Sequence, residues 1–198
     1  MTPVPNTNLG EIRSADAKVG HWELSSFEIT AKDAVYCNVN SQPIFHVKEG
    51  NYRRLMHGNT VVMSNTPMEV KTNRIALLKC GKRNLITGLG MGMILHAMLK
   101  QPHVEYIRVL EKDRDVIDLI GKDFADDKRV EIIHADAFKY ELGADETYDF
   151  IWHDIWTYIT SDNLKGMHKL GQKYKKACDN NQEYWAKDIC QSLVGSLY

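Results

Sequence analysis

The stretch LITGLGMGMIL, residues 85–95, decides the fold of this chain. Three glycines, Gly88, Gly90 and Gly92, separate an apolar run typical of a strand from an apolar run typical of a helix. Such glycines allow the backbone to turn tightly and let a ligand lie against bare main chain. A dinucleotide site has a further glycine where this chain has Met93, so the turn favours a bulkier and less anionic ligand than a pyrophosphate. A tight turn without any ligand is the plainer interpretation.

Downstream of the turn, strands and helices alternate. Further strands are predicted over residues 104–112, 129–136 and 147–155, and an amphipathic helix over 114–124. This alternation indicates βαβ units, and hence a parallel sheet with right-handed crossovers. After residue 160 the pattern is helical and offers no candidate for a fifth strand. We therefore expect a shortened parallel sheet of four strands.

Upstream of the turn, the pattern is that of a small antiparallel β region. Short runs rich in branched and aromatic residues are separated by Asn, Ser and Gly turn formers. These runs are residues 21–30, 34–39, 43–49 and 59–64. A helix is then predicted over 66–79, because Thr66 can cap it, Pro67 suits its first position and Glu69 completes a capping box.

The composition gives no support to several classes of partner: nucleic acid is possible but unsupported by the net charge, and no membrane partner is expected. The 198 residues carry 25 Lys and Arg against 26 Asp and Glu, a net charge of −1, which offers no global attraction to nucleic acid or to an anionic membrane. No apolar run approaches the length of a membrane span, and the N-terminus lacks the pattern of a signal peptide. The cysteines stand far apart, so we expect reduced thiols in a cytoplasmic protein and no metal site. They are Cys37, Cys80, Cys178 and Cys190.

Acidic residues end the predicted strands that follow the glycine turn. Glu111 ends the second strand, Asp136 the third and Asp154 the fourth. In open α/β sheets ligands bind at the carboxyl ends of the strands, where Glu111 can accept hydrogen bonds from ribose hydroxyls and Asp136 can contact an adenine edge. Each acid alone has a plainer interpretation, as a surface charge or as a helix cap. Together with the glycines they predict a nucleoside site.

These motifs resemble a known family. The segments NLITGLGMGMIL, IRVLEKDRDVIDLI, RVEIIHADAF and YDFIWHDIW are similar, in this order, to class I S-adenosylmethionine-dependent methyltransferases, and within them to the spermidine-synthase-like branch. The resemblance covers residues 82–158 and implies S-adenosyl-L-methionine as the cofactor. It implies that the glycines line the methionine moiety, that Glu111 holds the ribose and that Asp136 with Ala137 holds the adenine. The predicted cofactor site is Gly88, Leu89, Gly90, Gly92, Glu111, Lys112, Asp136 and Ala137.

The resemblance also implies a fold and a division of the chain. We expect an α/β chain with a Rossmann-like methyltransferase fold, a shortened parallel sheet and a small N-terminal antiparallel β region. The predicted parts are a flexible arm at 1–20, a β domain at 21–65, a Rossmann-like cofactor-binding domain at 66–160 and C-terminal helices at 161–198. The family's Gln, Asp-Glu and Tyr-His polyamine contacts are not matched, since this chain has residues 64–66 and 72–74 as SNT and TNR.

The predicted chemistry needs few side chains. Transfer from a sulfonium relies on alignment of donor and acceptor, which is worth about 7 to 11 kcal/mol. An amine or hydroxyl acceptor must also lose a proton, and Asp154 falls on the aspartate that helps to deprotonate the amine in aminopropyltransferases. His153 is the second candidate base, although a histidine at a sheet edge is as often structural. Trp156 and Tyr158 form either a lid for a planar acceptor or core packing, and packing is favoured for Trp152.

Three functions follow from these observations. The leading hypothesis is an S-adenosylmethionine-dependent methyltransferase acting on a small-molecule acceptor. The second is a spermidine-synthase-like aminopropyltransferase that uses the decarboxylated cofactor. The third is a non-catalytic nucleoside-binding module that lacks an acceptor site. A sheet of only four strands leaves an apolar flank, so we also expect a homodimer.

Overall fold

The N-terminal half contains a four-stranded antiparallel sheet. The computed structural model describes residues 9–195. The strands are β1 (Ala17–Val19), β2 (Trp22–Ile29), β3 (Gly50–His57) and β4 (Thr60–Ser64), and they pair in this order. The small antiparallel β region is therefore confirmed, and its β3–β4 hairpin carries an irregularity between Leu55 and Met56.

One run that was predicted as β is a helix. Residues 34–39 lie in α1 (Ala31–Val39), and residues 43–49 contain a short 3₁₀ turn, Pro43–Phe45. Thr30 caps α1 by accepting a hydrogen bond from the main-chain N–H of Asp33, whose carboxylate accepts in return from the main-chain N–H of Thr30. This reciprocal capping begins the helix and outweighs the weak β preference of its branched and aromatic residues.

The segment before β2 also differs from the flexible arm predicted for residues 1–20. Within the described part, residues 9–20, Leu9 and Ser14 are buried and β1 pairs with β2. The main-chain oxygen of Gly10 accepts a hydrogen bond of 2.8 Å from the Asn65 side chain. These contacts hold the segment against the body of the protein, and residues 1–8 of the predicted arm lie outside the described residues.

The remainder of the described chain forms the α/β part. Its elements are α2 (Pro67–Lys79), β5 (Arg83–Thr87), α3 (Met93–Leu99), β6 (Tyr106–Glu111), α4 (Arg114–Ile120), β7 (Val130–His134), β8 (Phe150–His153), α5 (Asn163–Tyr174), β9 (Gln182–Tyr184) and α6 (Lys187–Gly195). All strand pairs are parallel, in the order β7-β6-β5-β8-β9. Numbered from β5, this order is 3-2-1-4-5, that of a Rossmann-like sheet. The predicted fold class is confirmed.

The sheet has a fifth strand, which the sequence did not predict. Strand β9 pairs in parallel with β8, with Ile151 opposite Gln182 and His153 opposite Tyr184. Three residues are too few to show a period of two, so the strand is hidden between two helical patterns. Because β9 covers the flank of β8, the physical reason for expecting a homodimer is removed.

The core lies on both faces of the parallel sheet. Successive residues along each strand point to opposite faces, so Ile86 packs with α3 and α4 while Leu85 packs with α5. Every residue of α3 is buried. Buried strands of this kind read as continuous apolar runs, as Phe150–Trp152 does. Within residues 9–195, none of the helices has the length and apolar character that crossing a bilayer needs.

Candidate active site

The glycine turn places bare main chain at the carboxyl end of β5. Gly88, Gly90 and Gly92 have φ values of +94°, +51° and +71°, which favour glycine. A Cβ atom on Gly88 would lie 1.9 Å from the main-chain oxygen of Asp154, and one on Gly90 would lie 2.7 Å from the sulfur of Met63. A Cβ on Gly92 would instead meet the ring of Phe124 at 2.7 Å. All three glycines thus allow neighbouring segments to approach the turn closely, and Gly88 and Gly90 also line the cleft described below, whereas Gly92 does not.

A cleft of about 590 Å³ lies over this turn. Its floor is the carboxyl-end edge of the parallel sheet, and residues of the antiparallel sheet, Trp22, His57 and Met63 among them, form another wall. The Trp22 indole N–H donates to the carboxylate of Asp113 at 2.8 Å and ties the two sheets together. Of the predicted site residues, those that line the cleft are Gly88, Gly90, Glu111, Lys112, Asp136, Ala137 and Asp154. The volume suits a small-molecule ligand.

Glu111 is held at the end of β6 by main-chain donors. Its Oε2 accepts from the N–H of Leu89 at 2.8 Å, and its Oε1 accepts from the N–H of Asp113 at 2.9 Å. Burial raises the pKa of Glu111, and these hydrogen bonds oppose that rise. Leu89 therefore contributes its main chain, since its side chain is buried in the core. A carboxylate has about four acceptor positions, so Glu111 retains capacity for further hydrogen-bond donors.

Asp136 caps the turn after β7 and also lines the cleft. Its Oδ1 accepts from the main-chain N–H of Phe138 at 2.8 Å and shapes the turn that follows β7. The same residue lines the cleft, as does Ala137, whose main-chain oxygen accepts from the hydroxyl of Tyr174 at 2.7 Å. The turn-capping bond fixes the carboxylate at the cleft wall.

Two carboxyl groups lie at the end of the cleft that is nearest to β8. Asp154 follows β8, and its main-chain N–H donates to the oxygen of Thr87 at 2.8 Å. Burial raises the pKa of Asp154 to about 7. Glu69 comes from α2 and is only 4% exposed. Burial raises the pKa of Glu69 to about 8, and the negative charge of Asp154 adds to that rise. A negative charge on Asp154 therefore favours the protonated form of Glu69.

Glu69 is a site residue that sequence reasoning missed. Its predicted capping box is not formed, because Thr66 makes no capping hydrogen bond with its side chain. The carboxyl group of Glu69 turns inward instead, where its Oε2 accepts from the indole N–H of Trp185 at 3.0 Å. Nothing in the local sequence distinguishes a capping glutamate from one that packing buries.

His153 does not line the cleft. It is fully buried, and its ring nitrogens lie 3.0 Å from the hydroxyl of Thr87 and 3.1 Å from the side-chain oxygen of Gln182. Its ring stacks on Tyr184 with centroids 4.9 Å apart. Burial lowers the pKa of His153 to about 4. The predicted catalytic role of His153 is corrected on this ground: the ring joins β5, β8 and β9, whereas Asp154 beside it faces the cleft.

The aromatic residues around β8 differ in burial and in whether they line the cleft. Trp152 is fully buried in the core, as the sequence favoured. Trp156 and Tyr158 line the cleft, and Tyr158 is 62% exposed. Trp185, which directly follows β9, lines the cleft while only 3% exposed, and sequence reasoning did not single it out.

Comparisons with known proteins find relatives with transferase names. No model of a known protein family matches the chain. Over 99 residues it is 28% identical to a polyamine aminopropyltransferase of Agathobacter rectalis, and this match covers 47% of the chain and 32% of that protein. The chain therefore spans about a third of the length of the curated relative that it matches.

Solved structures that are similar include two kinds of transferase. Spermidine synthase from Thermotoga maritima is 19% identical with a TM-score of 0.46, covering 85% of this chain and 52% of that one. A spermidine synthase in complex with the transition-state analogue AdoDATO is 18% identical with a TM-score of 0.47, covering 87% and 55%. The N-methyltransferase NodS from Bradyrhizobium japonicum WM9 is 14% identical with a TM-score of 0.43, covering 55% and 59%.

The order of the parallel strands and the glycine turn after the first of them are the features that assign the fold. The chain has the Rossmann-like α/β fold that its resemblance to class I S-adenosylmethionine-dependent methyltransferases and the spermidine-synthase-like branch predicted.

Proposed function

We propose that this protein is a transferase that moves an alkyl group from S-adenosylmethionine to an amine. The observation that carries the proposal is the pair of carboxyl groups, Glu69 and Asp154, at one end of a cleft whose other end has the features of a nucleoside site. Gly88 and Gly90 fit the methionyl portion of the cofactor, because they line the cleft with main chain that carries no side chain. Glu111 and Asp136 fit its ribose and adenine.

The sulfonium of the cofactor supplies an alkyl group that is already activated for transfer. The chain itself must align an acceptor and remove a proton from it. An ammonium group is attracted to buried carboxyl groups, and the Asp154 carboxylate accepts a proton from the acceptor nitrogen, leaving a lone pair for attack. With a pKa of about 7, Asp154 can exchange protons near neutral pH. Such a base contributes roughly 10²- to 10⁴-fold to the rate.

A second candidate is aminopropyl transfer from the decarboxylated cofactor. The charge of the cleft favours it: a methionyl group that lies near Gly88 has the carboxylate-bearing residue Asp154 beside it. A cofactor carboxylate is repelled there, and a cofactor that lacks this group is not. The unmatched polyamine contacts at residues 64–66 and 72–74 favour methyl transfer instead.

Calorimetric titration distinguishes these functions. The ligands are S-adenosylmethionine, S-adenosylhomocysteine, decarboxylated S-adenosylmethionine and NAD, each tested on the wild-type protein, on Asp136→Ala and on Asp145→Ala. Asp145 is an exposed loop residue that does not line the cleft, and it serves as the matched control. Methyl transfer predicts that the first two ligands bind and that only Asp136→Ala loses them. Preference for the decarboxylated form favours aminopropyl transfer, and failure of all the nucleosides refutes both.

The acceptor is proposed to be a small molecule, and the protein is proposed to act in the cytoplasm. The cleft is of small-molecule size, and the four cysteines are free thiols. Of these, Cys37 is exposed, and a persistently free exposed thiol is typical of a reducing compartment.

A further inference from the structure

Trp185 is held in place from two directions. Its main-chain N–H donates to the oxygen of His153 at 2.9 Å, which sets it beside the residue that precedes Asp154. Its indole N–H donates to Glu69 Oε2 at 3.0 Å and also lies 3.1 Å from the hydroxyl oxygen of Thr72. Trp185 is therefore bonded to the elements that carry both carboxyl groups of the cleft.

The chain reverses immediately after this side chain. Ala186 has a φ of +52°, a conformation that costs a residue with a Cβ about 1 to 2 kcal/mol. The turn begins α6, whose Cys190 N–H donates to the oxygen of Ala186 at 3.0 Å. A bend of this kind persists only where the surroundings require it, and here it joins Trp185 to α6.

Trp185 and Tyr158 both line the cleft, but they differ in how far they are buried. Trp185 is 3% exposed although it lines the cleft, whereas Tyr158 is 62% exposed. The indole therefore has protein on nearly every side and little freedom to move aside, while the ring of Tyr158 lies in solvent at the mouth. A ligand that reaches the two carboxyl groups meets the indole as a fixed surface.

We propose that Trp185 closes the acceptor end of the cleft and sets an upper limit on the length of the amine that binds there. This inference rests on the proposed function, because the acceptor end is defined by the carboxyl groups that attract the amine. Trp185 is in this sense a specificity-determining residue that directly follows β9. An amine whose ammonium group lies at Asp154 directs its alkyl chain against the indole, and each further methylene beyond the available space has to displace it.

The experiment measures amine binding directly rather than turnover. Unbranched primary amines from propylamine to decylamine are titrated by calorimetry at saturating S-adenosylhomocysteine into the wild-type protein, Trp185→Phe and Trp185→Leu. Tyr158→Leu is the matched control, because it shortens an aromatic residue at the mouth. Circular dichroism and S-adenosylhomocysteine affinity establish that each variant is folded.

For the wild-type protein we expect affinity to rise with chain length, by up to about fourfold per methylene, and then to fall beyond a cutoff. The cutoff moves to longer amines in Trp185→Phe and further in Trp185→Leu, with a gain of roughly tenfold or more for the first amine that wild type excludes. It does not move in Tyr158→Leu. An unchanged cutoff in both Trp185 variants, or no cutoff in wild type, overturns the inference alone. Binding of S-adenosylhomocysteine without binding of any amine overturns the proposed amine acceptor, and the inference with it.

Discussion

Replacement of Glu69 by Gln is expected to stabilise the protein in a strongly pH-dependent manner. In the unfolded chain Glu69 loses its proton near its ordinary pKa of 4.5, but in the folded protein burial and the charge of Asp154 hold that proton up to about pH 8. The folded state therefore binds one more proton between these values. Its stability is fully present below the unfolded pKa and is lost as the pH rises through the folded pKa.

The magnitude follows from the two pKa values. With one extra proton bound in the folded state, the free energy of unfolding falls by about 1.4 kcal/mol for each pH unit. Between 4.5 and about 8 this amounts to a loss of about 5 kcal/mol that is attributable to Glu69. Gln cannot ionise, yet its side-chain oxygen can still accept from the indole of Trp185. The variant is therefore close to wild type at or below the unfolded pKa of 4.5 and increasingly more stable as the pH rises towards about 8.

Denaturant unfolding across the range from mildly acidic to mildly alkaline pH measures this difference. Asp154 contributes a similar slope of its own, because its pKa is raised from 3.8 to about 7, and that slope remains in Glu69→Gln. The matched control is Glu105→Gln, which neutralises a carboxylate with 62% of its side chain exposed. Parallel stability curves for Glu69→Gln and wild type, separated by a constant amount, would refute the reasoning that Glu69 is buried with a proton.

Three further outcomes are expected. Asp154→Asn lowers turnover by roughly 10²- to 10⁴-fold, while S-adenosylhomocysteine still binds in calorimetry. In the wild-type protein, turnover rises as the pH passes about 7. Equal turnover of variant and wild type would exclude Asp154 as the base. Gly88→Ala lowers the free energy of unfolding by roughly 3 kcal/mol or more in thermal or denaturant unfolding, because its Cβ would lie 1.9 Å from a main-chain oxygen. A variant as stable as wild type would contradict the geometry of the turn. His153→Leu lowers the free energy of unfolding by about 2 to 4 kcal/mol, since it leaves Thr87 and Gln182 without their hydrogen-bond partner in the core. A variant as stable as wild type would show that the buried hydrogen bonds are replaced.

Local spacing along the chain determines the cofactor end of the cleft. A parallel sheet brings the carboxyl ends of its strands to one edge, so Gly88, Glu111, Asp136 and Asp154 had to meet once the alternation of strands and helices was recognised. Their positions at strand ends are short-range features that a sequence displays directly. The same holds for the helix of residues 67–79, which begins at the expected proline.

At two places the pattern of residues did not show which of two local structures or orientations would form. In α1 a reciprocal cap between Thr30 and Asp33 outweighed the β preference of the residues after it. At the end of β8, the alternation of side chains separated His153 from Asp154, and only the position of β9 showed which of them faces the cleft.

The acceptor end was decided by tertiary structure alone. Glu69, Asp154 and Trp185 are far apart in the sequence, and no spacing rule relates them. What joins them is the packing of α2 and of the three-residue strand β9 against the parallel sheet. The raised pKa values of Glu69 and Asp154 likewise come from burial, which is a property of the assembled fold. The sequence by itself therefore determined the sheet and the nucleoside end, whereas packing between distant segments created the buried carboxyl pair and the indole wall beside it.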